Sequence, residues 1–159
     1  MPAPTAADPF ETARRGDADA LAPALDAGLA PDLRDPKGFT LLMVAAYNDQ
    51  PETTALLLDR GADPNLPDAA GNTPLMGMAF KGHVDRARQL LDAGADPNRR
   101  NGAGSTALHF AAMFGQAELA ELLIARGAQT EVQDNRNMTP ADLAAAHGHA
   151  DLAETLRSA

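Results

Sequence analysis

The sequence contains no cysteine, no tryptophan and a single tyrosine among its 159 residues. Without thiols it can form neither a disulfide nor a thiolate-bound zinc site, and either a reducing or an oxidising compartment suits it. Aromatic residues make up only 4%, a profile that suits small helices in close contact more than a core of large rings. No run approaches the ~18 apolar residues that a membrane-spanning helix requires. The stretch from Met1 to Pro9 has neither the basic start nor the apolar segment of a secretory leader. A cytoplasmic location is therefore expected, or a periplasmic or secreted one if a leader has been removed. Basic residues are scarce as well: 13 Lys and Arg stand against 22 Asp and Glu, giving a formal net charge of -9. Such a surface on average repels nucleic-acid phosphates and anionic membranes, so neither is an expected partner.

What the chain does have is a period. Thr40, Thr73, Thr106 and Thr139 recur every 33 residues, and so do Gly28, Gly61, Gly94 and Gly127. Gly82, Gly115 and Gly148 form another series, and Gly38, Gly71 and Gly104 one more, continued by Asn137. A fixed period of this length marks stacked supersecondary units. Each recurring residue also has a local reason. A threonine side chain can accept from the amides of a first helical turn, and Pro74 and Pro140 follow where a missing N–H is harmless. Apolar residues spaced by three and four, such as Leu75, Met78 and Ala79 or Leu108, Ala111 and Ala112, then give each short helix one buried face. The glycines after it permit a left-handed turn, where Asp49 stands in the second unit. A second helix carries Leu56 and Leu57, Leu90 and Leu91, or Leu122 and Leu123 inward, and turn-forming Asp, Pro, Asn and Gly residues follow.

The step of 33 built around "TPL", "GH" and "LLDAGADPN", and above all residues 71–98, GNTPLMGMAFKGHVDRARQLLDAGADPN, resembles the ankyrin repeat, over residues 9–159. The resemblance implies an all-α solenoid of five helix-turn-helix repeats joined by β-hairpin-like loops. The repeats are 9–34 (an N-terminal cap), 35–67, 68–100, 101–133 and 134–159 (a C-terminal cap), with residues 1–8 as a flexible tail. A small stand-alone protein of this kind, of bacterial type, is expected to be monomeric.

No catalytic signature is present: phosphate loops, Rossmann glycines, zinc-protease helices, nucleophile elbows and EF-hand loops are all missing. Catalytic, cofactor and metal residues are accordingly expected to be none. His147 and His149 stand two apart across a glycine and do not share a helical face, as zinc ligands must. The resemblance gives His83, His109 and His149 a role in hydrogen bonding between repeats. Asp63, Asn65, Asp68, Asp96 and Asn98 lack the ordered spacing of a calcium loop and read as turn residues. The methionines read as core fillers or adaptable contacts.

The resemblance further implies that a protein partner meets the hairpin tips and the exposed side of the first helices. Carried over position by position, that face comprises Arg14 and Arg15, Tyr47 and Asn48, Phe80 and Lys81, Met113 and Phe114, and His147. From the tips come Arg34, Lys37, Phe39, Asn72, Arg100 and Arg136. The spacing predicts that Tyr47, Phe80 and Met113 stack as a column. With Pro36, Pro67, Ala69, Ala70, Gly102, Ala103, Ser105, Gln133, Asn135, Met138 and Ala146 the face has 26 display positions, among which there is no Asp or Glu and seven are basic. The acids Glu52, Asp59, Asp85, Asp92, Glu118, Glu121, Asp151 and Glu154 belong to the second helices. An oily, locally positive hollow suits a partner with an acidic surface and an apolar centre. A dedicated regulator, inhibitor or protector of one bacterial enzyme is an alternative reading; a metal- or small-molecule-binding protein is a more remote one, since a repeat groove is too open to enclose a ligand.

Overall fold

The computed structural model describes residues 7–159, and the first six residues of the expected tail lie outside it. Ten helices are present among the described residues, in five antiparallel pairs: α1 (Pro9–Arg15) with α2 (Ala18–Asp26), α3 (Leu41–Tyr47) with α4 (Pro51–Asp59), and α5 (Pro74–Lys81) with α6 (Val84–Asp92). The last two pairs are α7 (Ala107–Met113) with α8 (Ala117–Ala125) and α9 (Pro140–Ala146) with α10 (Ala150–Ser158). Asp8, assigned to the tail by the sequence, caps α1 by accepting from the Phe10 amide at 2.9 Å.

Helices of seven to nine residues are too short to persist alone, because nucleation costs more than so few hydrogen bonds return. Neighbours supply the difference. The first helices pack in series, α1 on α3, α3 on α5, α5 on α7 and α7 on α9, while the second helices stack α2 on α4, α4 on α6 and α6 on α8. Ala45, Ala46, Ala79, Ala111, Ala112 and Ala144, all fully buried, let backbones in the first row come close. Leu41, Leu57, Leu90, Leu108 and Leu123, equally buried, fill the seam between the two rows.

The recurring residues do what their chemistry suggests. Thr40, Thr73 and Thr139 accept from the amides of Met43, Met76 and Asp142 at 3.2, 3.4 and 3.2 Å. At Thr106 the roles turn over: its amide donates to Nδ1 of His109 at 3.0 Å. That leaves the His109 Nε2–H to donate to the Met138 carbonyl of the next repeat, also at 3.0 Å. His83 and His149 likewise reach the carbonyls of Tyr47 and Met113 one repeat earlier, at 3.1 and 3.2 Å. Gly115 has φ +67° and lies under the His149 ring, which a Cβ would approach to 2.6 Å, so glycine is needed there for conformation and for space. Asp49 (φ 57°) and Asn137 (φ 61°) hold the left-handed conformation at the two positions where their glycine series break, as the two residue types that tolerate it best.

Candidate functional site

The loops between repeats are built on one repeated device. Asp35, Asp68, Asn101 and Asp134 each turn Oδ1 back onto the amides two and four residues on, at 2.8–3.0 Å. These side chains thus hold the tips in shape. Neighbouring tips are joined by Gly102 N–H to Ala70 O and by Asn135 N–H to Ala103 O, both 3.0 Å. A strand-like bridge forms between Arg34 and Thr40. Farther down the stack, Asp32, Asn65 and Asn98 each accept from an amide in the next repeat at 2.7–2.8 Å, which fixes the spacing of the units.

Two of the expected partner-facing cations turn out to be part of this scaffold. Arg34 donates to Gly38 O and, across to the next repeat, to Pro67 O. Arg100 repeats the pattern one turn of the solenoid later, donating to Gly104 O at 3.0 Å and to Gln133 O at 2.7 Å. Arg14 is paired with Glu11 on its own helix. Arg136, exposed at its tip, lies 3.6 Å from Asp134. Burial works to raise the Asp134 pKa, but the amides of Met138 and Arg136 and the Arg136 charge outweigh it and hold the carboxyl below its ordinary range. Arg15, Lys37 and Lys81 have no ion pair among the described residues. The Lys81 ammonium instead sits 5.1 Å from the centre of the Tyr47 ring, a cation–π geometry.

The rings define the centre of this face. Tyr47 and Phe80 stack with centroids 6.3 Å apart and planes 14° from parallel. The expected third member, Met113, is half-buried and does not continue the aromatic run. Phe114, one residue later, meets Phe80 edge-on at 5.0 Å. Asn48 is exposed at the end of α3 with its amide on Val44 O at 2.8 Å. Asn72 is half-buried and accepts from Asn101 Nδ2 at 2.8 Å. His147, also exposed, ends α9 as its cap residue and lies beyond the aromatic run.

Beside the rings is a recess of about 510 Å³ whose lining includes Phe39, Met43, Val44, Tyr47, Met76, Gly77 and Phe80, together with Arg14, Asn72 and Phe110. Asp68 is the one acid on the lining, and its carboxylate is occupied by the amides of Ala70 and Asn72. Position-by-position transfer missed Gly77. The signal was available, because the same position in the flanking repeats holds Val44, Phe110 and Leu143.

The acids of the second helices, Glu52, Asp59, Asp85, Asp92, Glu118, Glu121, Asp151 and Glu154, are all exposed. Successive repeats are pinned there by ion pairs, Arg60 with Asp26 at 2.8 Å and Arg126 with Asp92 at 2.7 Å. The hydrogen bond from Arg60, together with its charge, lowers the Asp26 pKa. Among the described residues no three His, Asp or Glu side chains come together in a way that could hold a metal ion, and no helix is long and apolar enough to cross a membrane.

A family model described as "Ankyrin repeats (3 copies)" matches residues 10–101 and again 75–159. The chain belongs to the ankyrin-repeat family. Ankyrin repeats generally mediate protein–protein interaction and are typically non-catalytic. No curated protein gives a significant match to the sequence. What distinguishes this ankyrin domain must therefore be read from its own side chains: the ring run, the recess at Gly77 and the free cations.

Proposed function

We propose that the chain is a non-catalytic binding protein whose partner sits on the face formed by the first helices and the hairpin tips. Tyr47, Phe80 and Phe114 contact it at the centre, and Arg15, Lys37 and Lys81 face an acidic surface around them. One observation carries this reading. The exposed large hydrophobics, Phe39, Tyr47, Phe80 and Phe114, are 38–49% accessible and belong to this face, whereas the second-helix surface carries exposed carboxylates. Contiguous exposed rings mark an interaction site, and aromatic and basic side chains dominate interface energetics.

Immobilised wild-type protein and its Tyr47→Ala and Phe80→Ala variants can be compared in affinity capture with mass-spectrometric identification, with Glu121→Ala on the second-helix surface as control. The reading requires a partner retained by wild type and by Glu121→Ala and lost by both ring variants, while their melting temperatures stay within a few degrees of wild type. A partner retained equally by the ring variants contradicts it.

A further inference from the structure

Gly77 is the odd residue of its column. It lies inside α5, where glycine costs about 1 kcal/mol relative to alanine. Its φ does not fall in the left-handed region, so the backbone does not demand it. Nor does space: a Cβ there would meet only Tyr47 Cδ2, at an ordinary contact distance of 3.5 Å. The equivalent sites carry Val44, Phe110 and Leu143, so this position accommodates a large side chain elsewhere in the same solenoid. Gly77 is one of the residues lining the recess of about 510 Å³, beside residues of α3 and α5. Its walls are preorganised, since Tyr47 and Phe80 are stacked and Phe80 is braced edge-on by Phe114. The Lys81 ammonium over the Tyr47 ring puts a positive charge beside the recess, while the Arg14 guanidinium on the lining is paired with Glu11 and the Asp68 carboxylate is held by amides.

We propose that this recess is a socket for one large apolar side chain of the partner, leucine or phenylalanine in size, carried on a segment with acidic residues on either side. The socket rests on the reading that a partner sits on the face of the first helices and hairpin tips, and sharpens it. The apolar lining selects the anchor, and the unpaired Lys81 beside it favours acidic flanks; a basic segment would meet like charge there. Gly77 then sacrifices helix propensity for room, so filling it should strengthen the fold and weaken binding together.

Fluorescein-labelled synthetic peptides with one variable central residue between Asp/Glu flanks or Lys flanks test this by polarisation on the full chain. For wild type, a central leucine or phenylalanine between acidic flanks should bind at least about ten-fold tighter than a central alanine, as for one buried anchor. Lysine flanks should abolish binding. Gly77→Ala should weaken the apolar-centred peptide, and Gly77→Leu should erase the preference for it, with neither variant melting below wild type. Equal binding by Gly77→Leu, indifference to the central residue, or absence of peptide binding overturns the socket. Loss in Phe80→Ala but not in Gly77→Leu would do so while leaving the reading of the face intact; that reading fails separately, if captured partner is indifferent to Tyr47→Ala and Phe80→Ala.

Discussion

Arg86 offers the sharpest energetic test of the packing. In the column Thr53, Arg86, Leu119 and Leu152, the other three side chains are buried, with Thr53 at 0% and Leu119 at 1%. Arg86 occupies this core setting with a side chain only 11% accessible. Its Nε and Nη1 have no hydrogen-bond acceptor, and its nearest carboxylate, Asp49 Oδ1, stands 3.6 Å away, an attraction without a hydrogen bond. Each buried orphan donor costs about 1–3 kcal/mol, and replacing a buried ion pair with well-packed apolar atoms is often stabilising by ~1–4 kcal/mol. Asp49 is 58% accessible, so water would solvate its carboxylate once the partner is gone. Arg86→Leu is therefore expected to stabilise by about 1–3 kcal/mol, a melting-temperature rise of roughly 3–10 °C for a chain of this size. Asp49→Asn retains a residue that tolerates the left-handed conformation and removes only the charge. In the wild-type background it should destabilise by about 1 kcal/mol or more, because the guanidinium loses its one counter-ion, and in the Arg86→Leu background it should be nearly neutral. Thermal or urea denaturation of the four proteins closes the cycle. A lower melting temperature for Arg86→Leu, or the same Asp49→Asn effect in both backgrounds, refutes the reasoning.

Three further outcomes follow from the same contacts. Burial holds the His109 pKa below its ordinary value, against the opposing pull of the Met138 carbonyl. The unfolded chain therefore takes up a proton near pH 6.5 that the folded one resists. Stability should be fully present well above pH 6.5 and decline as the pH falls through it, and His109→Gln should flatten that limb in denaturation curves. If the slope is unchanged in His109→Gln, His109 is not its source. Asp134 and Asp142, both with lowered pKa, add losses only at lower pH, as protonation passes down through their folded values. Arg100→Ala removes the guanidinium bonds to Gly104 O and Gln133 O and should cost about 1–2 kcal/mol, with faster amide exchange at residues 101–105; unaltered exchange there contradicts its role as a staple. Deleting residues 134–159 uncovers the α7 face that packs on α9 and should give an aggregating protein by light scattering, whereas a soluble, cooperatively melting fragment speaks against neighbour-dependent stability.

The architecture was legible because each recurring residue answers a local need that does not depend on what lies across the chain. A threonine cap, a left-handed glycine and a leucine at helical spacing can each be recognised from a few neighbours, and Asp49 and Asn137 even kept the glycine conformation where the letters changed. The interacting face was legible more coarsely. Its aromatic positions follow from the period, but the edge-on contact of Phe80 with Phe114 is set by side-chain placement, which identical spacing does not encode. Arg34 and Arg100 read as free charge because nothing in one dimension reveals that the carbonyls of Pro67 and Gln133 come within hydrogen-bond range. Gly77 and Arg86 were visible as exceptions in their columns, yet what each exception does, lining a recess beside Tyr47 or placing a guanidinium 3.6 Å from Asp49, is decided by neighbours in the preceding repeat.

Amide hydrogen exchange of the chain, free and saturated with a partner obtained by capture, tests the central claim most directly. New protection should be confined to α3, α5, the start of the α7–α8 turn at Phe114 and the tips around residues 36–39 and 69–72. Protection concentrated instead on the exposed surfaces of α4, α6 and α8, with those segments unchanged, would contradict it.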